Sequence, residues 1–174
     1  DFVCFLNAGD HLFSPETLEK LAAQIDEKTD VIYGETMLVR ENREPVGTMS
    51  ALSTRPLPKN LNADSMRFGM VVIHQSFYAR KTIAPNYNLI FKYSADIDWV
   101  INCLNKSRKT VNSGLILTNY LMGGMSKKQH RDSLKERFFI LKQHFGLPAT
   151  IFSHIYIVIR AIVKKITRIG KPTY

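Results

Sequence analysis

The chain has 174 residues, 45% of them hydrophobic and 22% charged; this is enough apolar material for the core of one domain or a large piece of one, and it excludes disorder as the overall character. The net charge of +9 admits nucleic acid, an anionic membrane or a phosphate-bearing substrate as partner. The excess is uneven, because from Lys127 onward the only acids are Asp132 and Glu136, and this favours a local cause at the C-terminal end.

Asp1 opens directly into the apolar run Phe2-Val3-Cys4-Phe5-Leu6. Such a run reads as a fully buried strand, and since a domain seldom begins mid-strand, a further portion is expected upstream. Cys4 and Cys103 have no Cys or His at metal-ligand spacing and are expected to be free thiols, as in a cytosolic protein. Asn7-Ala8-Gly9-Asp10 follows as a tight polar turn. Ser14-Pro15-Glu16 then carries helix-start chemistry, with Leu18, Leu21, Ala22 and Ile25 as the apolar stripe.

Val31–Tyr33 predicts a short strand, Thr36–Arg40 a second extended piece, and Asn42–Gly47 a turn. The segment 53–62 holds Pro56 and Pro58 and reads as a loop able to cover a site. A strand is expected over Gln75–Ala79, an aromatic loop over Tyr87–Tyr93, a helix over Ala95–Leu104, and further strands at Val111 and Leu115–Leu117. Gly123-Gly124-Met125-Ser126 reads as a loop. Leu134, Phe138, Leu141 and Phe145 mark the apolar face of another helix, stopped at Gly146. Alternating strands and helices argue for an α/β fold, in which ligands sit at polar strand ends.

Three groups could carry chemistry. Asp10 follows two small residues and could hold Mg²⁺ or Mn²⁺ against a diphosphate, or it could cap its turn. Asp96 and Asp98 begin a helix; at i and i+2 they point in different directions, so they are not a matched acid–base pair, and helix-dipole complementarity alone would account for them. His74 and Gln75 follow Met70-Val71-Val72-Ile73 and are either pocket residues or satisfied structural groups.

The order of these segments resembles family 2 glycosyltransferases. Phe5-Leu6-Asn7-Ala8-Gly9-Asp10 resembles the strand-end motif that closes on a metal-binding aspartate. Val31-Ile32-Tyr33-Gly34 resembles the next strand, and His74-Gln75-Ser76-Phe77 the segment before the acceptor-side strand. Ser94-Ala95-Asp96-Ile97-Asp98-Trp99 resembles the segment that supplies the base, and Gly123-Gly124-Met125-Ser126 a later loop near the donor phosphates. The resemblance covers Asp1 to about Ser126. It implies a GT-A nucleotide-diphospho-sugar transferase sandwich, incomplete at its nucleotide-binding half. It also implies a partial catalytic domain over 1–126 and a helical region with a basic amphipathic tail over 127–174. The implied activity is inverting, metal-dependent transfer of a sugar from a nucleotide diphosphate to a hydroxyl, in polysaccharide or glycolipid synthesis.

In that reading Asp10 holds Mn²⁺ or Mg²⁺, Asp96 is the base and Asp98 the second choice. Asn7, Gly9, His74, Gln75, Gly123, Gly124 and Ser126 line the donor or acceptor site. The chain departs from the family where only Asp10 stands in the acidic motif, and where Ala95 precedes Asp96 in place of the commoner Glu.

In the tail, Ile151, Ile155, Val158, Ile162, Ile166 and Ile169 share one helical face, with Arg160, Lys164, Arg168 and Lys171 opposite. Lys165 at the edge and Ile157 among the cations blur the division. The pattern fits an in-plane helix over 151–171 on an anionic membrane, or a helix packed on the rest of the protein. The expected partners are a nucleotide-sugar donor and a saccharide or lipid-linked saccharide acceptor. The expected place is the cytoplasm, at the inner face of the membrane. A non-catalytic basic binding module and an inactive sugar-nucleotide-binding homologue stay open. Nucleic acid is not expected, because aromatic residues do not interleave with Lys and Arg in a stacking pattern.

Overall fold

The computed structural model describes residues 1–123 and 130–169; at 130, 161 and 164–169 it describes the backbone alone. The fold is mixed α/β. Its strands are β1 (Phe2–Val3), β2 (His11–Leu12), β3 (Val31–Val39), β4 (Pro45–Thr48), β5 (Phe77–Arg80) and β6 (Thr110–Leu121). Its helices are α1 (Thr17–Ala22), α2 (Met49–Leu52), α3 (Ala95–Lys106), α4 (His130–Phe145) and α5 (Leu147–Ile169). The strands form one sheet in the order β1-β5-β3-β6-β2, with β4 paired to β3. Among the described residues only β3 and β6 run parallel; the other pairs are antiparallel.

Strand alternation divides the interior. Val31 and Tyr33 of β3, with Phe77 and Ala79 of β5, pack against Ile97, Val100, Ile101 and Leu104 of α3 and Ile140 and Leu141 of α4. Ile32 and Tyr78 point the other way and join Leu21 of α1 and Leu117 of β6. The sheet therefore lies between α3 with α4 on one face and α1 on the other.

Several sequence expectations change. Phe2–Leu6 is not a buried strand: β1 has two residues, and Phe5 and Leu6 are 41% and 46% exposed. The physical reason is topological. β1 lies at an edge of the sheet, and the chain then leaves it to reach β2 at the opposite edge. The two extended pieces around Gly34 are one strand. Here β3 and β6 come so close that a Cβ on Gly34 would sit 2.5 Å from the Leu115 carbonyl oxygen, so only glycine fits. The pieces at Val111 and Leu115–Leu117 are likewise one twelve-residue strand, β6. α1 is short; its Leu21 is buried and its Leu18 exposed.

The two C-terminal helices follow their apolar patterns only in part; on α4 the expected face holds at Leu141, Phe138 and Phe145 but not at Leu134. On α4 the buried positions are Ser133, Ile140 and Leu141, while Leu134 is exposed. On α5 the side turned inward carries Thr150 and Ser153, with Ile157 and Arg160 half-buried behind them. Ile151, Ile155, Val158 and Ile162 are each about half exposed. No described helix is long and apolar enough to cross a membrane.

Candidate active site

The short 3-10 turn His74–Ser76 joins the two candidate acids. It is buried, and it lies directly before β5. Its two polar side chains point to different partners. Gln75 Nε2 donates to Asp10 Oδ2 at 2.6 Å. His74 Nδ1 lies 3.1 Å from Asp96 Oδ2; an ionised carboxylate only accepts, so the imidazole donates this bond. The backbone of the turn is fixed from below, because the Gln75 carbonyl accepts from Thr118 Oγ1 at 2.7 Å and from the Cys4 thiol at 3.3 Å.

Asp10 sits in the crossing between β1 and β2. Its backbone N–H closes a turn onto the Asn7 carbonyl at 3.0 Å, and its Oδ1 accepts from the backbone N–H of Leu121, at the end of β6, at 2.8 Å. Gly9 supports this geometry with a φ of +91° and a close approach to the Leu121 side chain, 2.7 Å from where a Cβ would stand. Arg43, in the β3–β4 turn, donates to the Gly9 carbonyl at 2.6 Å.

Tyr120 reports both carboxylates. Burial, reinforced by the negative charges of Asp10 and Asp96, raises its hydroxyl above the ordinary phenol range. Tyr87 is raised by burial and by Asp96; its ring stacks on Trp99, with centroids 5.7 Å apart. Burial pushes the Cys4 thiol up to about 11, so it is a neutral donor to Gln75 rather than a nucleophile.

The second acid of α3 has a different environment. Asp98 Oδ1 accepts from His144 Nε2 of α4 at 2.7 Å. The Asp98 and His144 side chains are only 7% and 10% exposed, whereas Asp96 keeps 27%. Beside the apolar packing of Ile140 and Leu141 on α3, α4 also makes polar contacts with the segment that leads into α3. Glu136 accepts the backbone N–H groups of Lys92, Tyr93 and Ser94 at 2.8–3.0 Å, and Ser94 Oγ lies 3.1 Å from Ser133 Oγ.

The structure thus brings together Asn7, Gly9, Asp10, His74, Gln75 and Asp96, and turns Asp98 away from them. Gly123, with a φ of +111°, follows two residues after Leu121. Gly124 and Ser126 lie outside the described residues. Sequence reasoning missed Tyr120, Arg43, Glu136 and His144. Glu136 alone left a signal, as one of two acids in a strongly basic segment.

Among the described residues no group of three or more His, Cys, Asp or Glu could hold a metal unaided. Mg²⁺-type sites need only one or two carboxylates when a diphosphate supplies the remaining oxygens. Asp10 fits that role: it is half-buried, and each of its oxygens accepts one hydrogen bond here and has two lone pairs.

No family model matches the chain. Curated proteins described as PGL/p-HBAD biosynthesis glycosyltransferases, from Mycobacterium bovis and Mycobacterium tuberculosis, are 29% identical to it over 133 residues. That alignment takes in 72% of this chain and 47% of each relative, so the chain spans about half the length of the curated relatives it matches. The likeness supports a glycosyltransferase relationship.

Proposed function

We propose that the chain is the metal- and acceptor-side portion of a family 2, GT-A-type glycosyltransferase that transfers a sugar with inversion onto a hydroxyl of a glycolipid or polysaccharide acceptor. The observation that carries the reading is the His74–Ser76 turn, which ties Asp10 and Asp96 to adjacent residues. A metal-holding acid and a base must flank the same anomeric carbon, and this turn couples the two groups. The likeness to glycosyltransferases of glycolipid synthesis adds to it. Residues 1–126 form the catalytic portion in this reading, and 127–174 the helical region that supports it.

Asp96 accepts the proton of the acceptor hydroxyl as the oxygen attacks the anomeric carbon. The bond from that carbon to the phosphate oxygen breaks, and the nucleoside diphosphate leaves with the electron pair. His74 orients the Asp96 carboxylate through its N–H. Asp98 is the weaker candidate for the base, because it is more deeply buried and already bonded to His144. Mn²⁺ or Mg²⁺ held by Asp10 would supply charge neutralisation at the diphosphate. Arg43 adds a fixed cation near the same turn. Asn7, Gly9 and Gly123 border the donor side, and His74 and Gln75 the floor.

The exposed isoleucine face of α5, in a protein of net charge +9, supports peripheral attachment to an anionic membrane at its cytoplasmic face. That location suits a lipid-linked acceptor.

Calorimetry on the full-length protein tests the metal role. Asp10→Ala should abolish Mn²⁺-dependent affinity for a nucleotide sugar, while Asn7→Ala should reduce it less. Unchanged metal-dependent affinity in Asp10→Ala removes Asp10 from the role. Metal-dependent binding without turnover in the wild type would instead favour an inactive homologue.

A further inference from the structure

α5 leaves its isoleucine face exposed and turns Arg160, on the opposite side, inward. Arg160 is half-buried on the side that also carries Thr150, Ser153 and Ile157, and its buried Nη1 has no hydrogen-bond partner among the described residues. Facing it from the loop after α2 is Arg55, itself half-buried. Arg55 donates to the Gly69 and Ser65 carbonyls at 2.9 and 2.7 Å. Burial and the positive charge of Arg160 both push Arg55 below its ordinary value.

No carboxylate among the described residues forms an ion pair with either guanidinium; the acid of this segment, Asp64, pairs with Arg67 at 3.3 Å. Aromatic rings hold the two cations in place. Arg55 lies over Phe68 at 5.8 Å and Arg160 over Tyr156 at 5.6 Å, and Phe68 meets Tyr156 edge-on at 5.0 Å. Beside them Phe152, Tyr156 and Ile159 are 64%, 45% and 54% exposed. Two like charges in a half-buried site repel unless an anion lies between them. Guanidinium forks pair bidentately with phosphate oxygens.

We propose that Arg55 and Arg160 form a binding site for the phosphate of an anionic phospholipid, whose acyl chains lie against the exposed apolar residues of α5. The proposal rests on the reading of α5 as a membrane-surface helix and adds a defined headgroup contact to it. It explains why an arginine interrupts the inward side of the helix. It also places the phosphate next to apolar side chains, as an amphiphile requires.

The test is partition of the full-length protein onto two kinds of phosphatidylcholine vesicle. One carries phosphatidylglycerol, and the other carries oleate at matched surface potential. Wild type should prefer phosphatidylglycerol. Arg160→Gln should lose roughly twentyfold or more on phosphatidylglycerol vesicles and none of its oleate-vesicle binding beyond a general charge effect. Lys142→Gln, at an exposed position of α4, should lose about fivefold or less on both. Should Arg160→Gln fail to fold, Arg160→Lys keeps the charge without the planar fork and should still lose the headgroup preference.

Equal behaviour of the Arg160 and Lys142 variants overturns the site. If Ile155→Ser with Ile162→Ser meanwhile abolishes binding to both vesicles, the membrane reading stands and only the phosphate site falls. If that double variant binds like wild type, both fall. Millimolar inorganic phosphate should neither raise the wild-type melting temperature nor compete with vesicles. A rise that Arg160→Gln removes, without competition, would assign the site to soluble phosphate and overturn the lipid.

Discussion

Two polar clusters meet at the first turn of α3, and they differ in what surrounds them. On one side Asp96 meets His74, and through the next residue of the same turn the contact extends to Gln75 and Asp10. On the other side Asp98 meets His144, and beside it Glu136 and Ser133 hold the segment leading into the helix. The first cluster keeps a partly exposed carboxylate, and the second is closed under α4. The difference teaches that two acids two residues apart can serve opposite ends: one stays available to a ligand, and the other fastens the helix that presents it. A half-turn of helix separates the roles, because i and i+2 point to different sides.

The sharpest way to break this comparison is a pair of isosteric changes. If the proposed transfer is the activity, Asp96→Asn in the full-length protein should lower turnover by roughly two to four orders of magnitude, with donor affinity and melting temperature nearly kept. Asp98→Asn should be milder on turnover and should destabilise the fold. Single-turnover kinetics alongside thermal melts read both. Reversed phenotypes would make Asp98 the base.

Next in size is the seam itself. His144→Ala leaves the Asp98 carboxylate buried without its partner and should cost about 3 kcal/mol of stability. Glu136→Gln keeps one acceptor oxygen, enough for Tyr93 and Ser94, but turns an amide donor toward the Lys92 N–H and removes the charge, and should cost about 2 kcal/mol. Urea denaturation measures both. If neither variant is destabilised, α4 does not fasten α3.

A smaller effect separates the clusters from the general acid response of the fold. Asp30 is buried between Arg108 and Arg80. Burial alone would raise its carboxyl, but the Arg108 backbone N–H and guanidinium outweigh that and hold it below the usual range. A depressed carboxylate contributes stability above its unfolded value of about 3.9 and loses it as pH falls through the lower folded value. Asp30→Asn should therefore flatten the acid limb of a stability–pH curve and leave the pH dependence of turnover alone.

The smallest expected signal comes from the thiols. Burial raises Cys4 to about 11 and Cys103 to about 12. Alkylation of the folded protein at neutral pH should be far slower than after unfolding, and thiol counting with and without denaturant checks this. Rapid labelling of native Cys4 would mean that the floor under Gln75 opens.

Local chemistry fixed much of this molecule. Apolar content and helical spacing set α3, and the acids at its start were visible as soon as the helix was. The run Val31-Ile32-Tyr33 reads as a buried strand and is one; the turn expected over Asn42–Gly47 ends at Glu44, because Pro45–Gly47 pair with β3 as part of β4. Asn7-Ala8-Gly9-Asp10 already spelled a tight turn with an acid at its end, because small and polar residues there leave few other conformations.

Contacts between distant segments decided the remainder. Pairing with β3 on either side made β6 one strand across an irregularity at Ser113 and Gly114, where Ser113 Oγ donates to the Tyr33 carbonyl and Asn112 Oδ1 accepts the Gly114 N–H. Packing chose which part of each apolar pattern turned inward: α4 buries Leu141 and exposes Leu134, and α5 leaves its isoleucine face outside. A buried seam tolerates Ser133 and His144 when each meets a partner, and an apolar stripe turns inward only where a surface lies ready to cover it. The link from Asp10 to Gln75 spans 65 residues and that from Asp98 to His144 spans 46. No local pattern encodes such pairs, because each side chain alone could equally have met water.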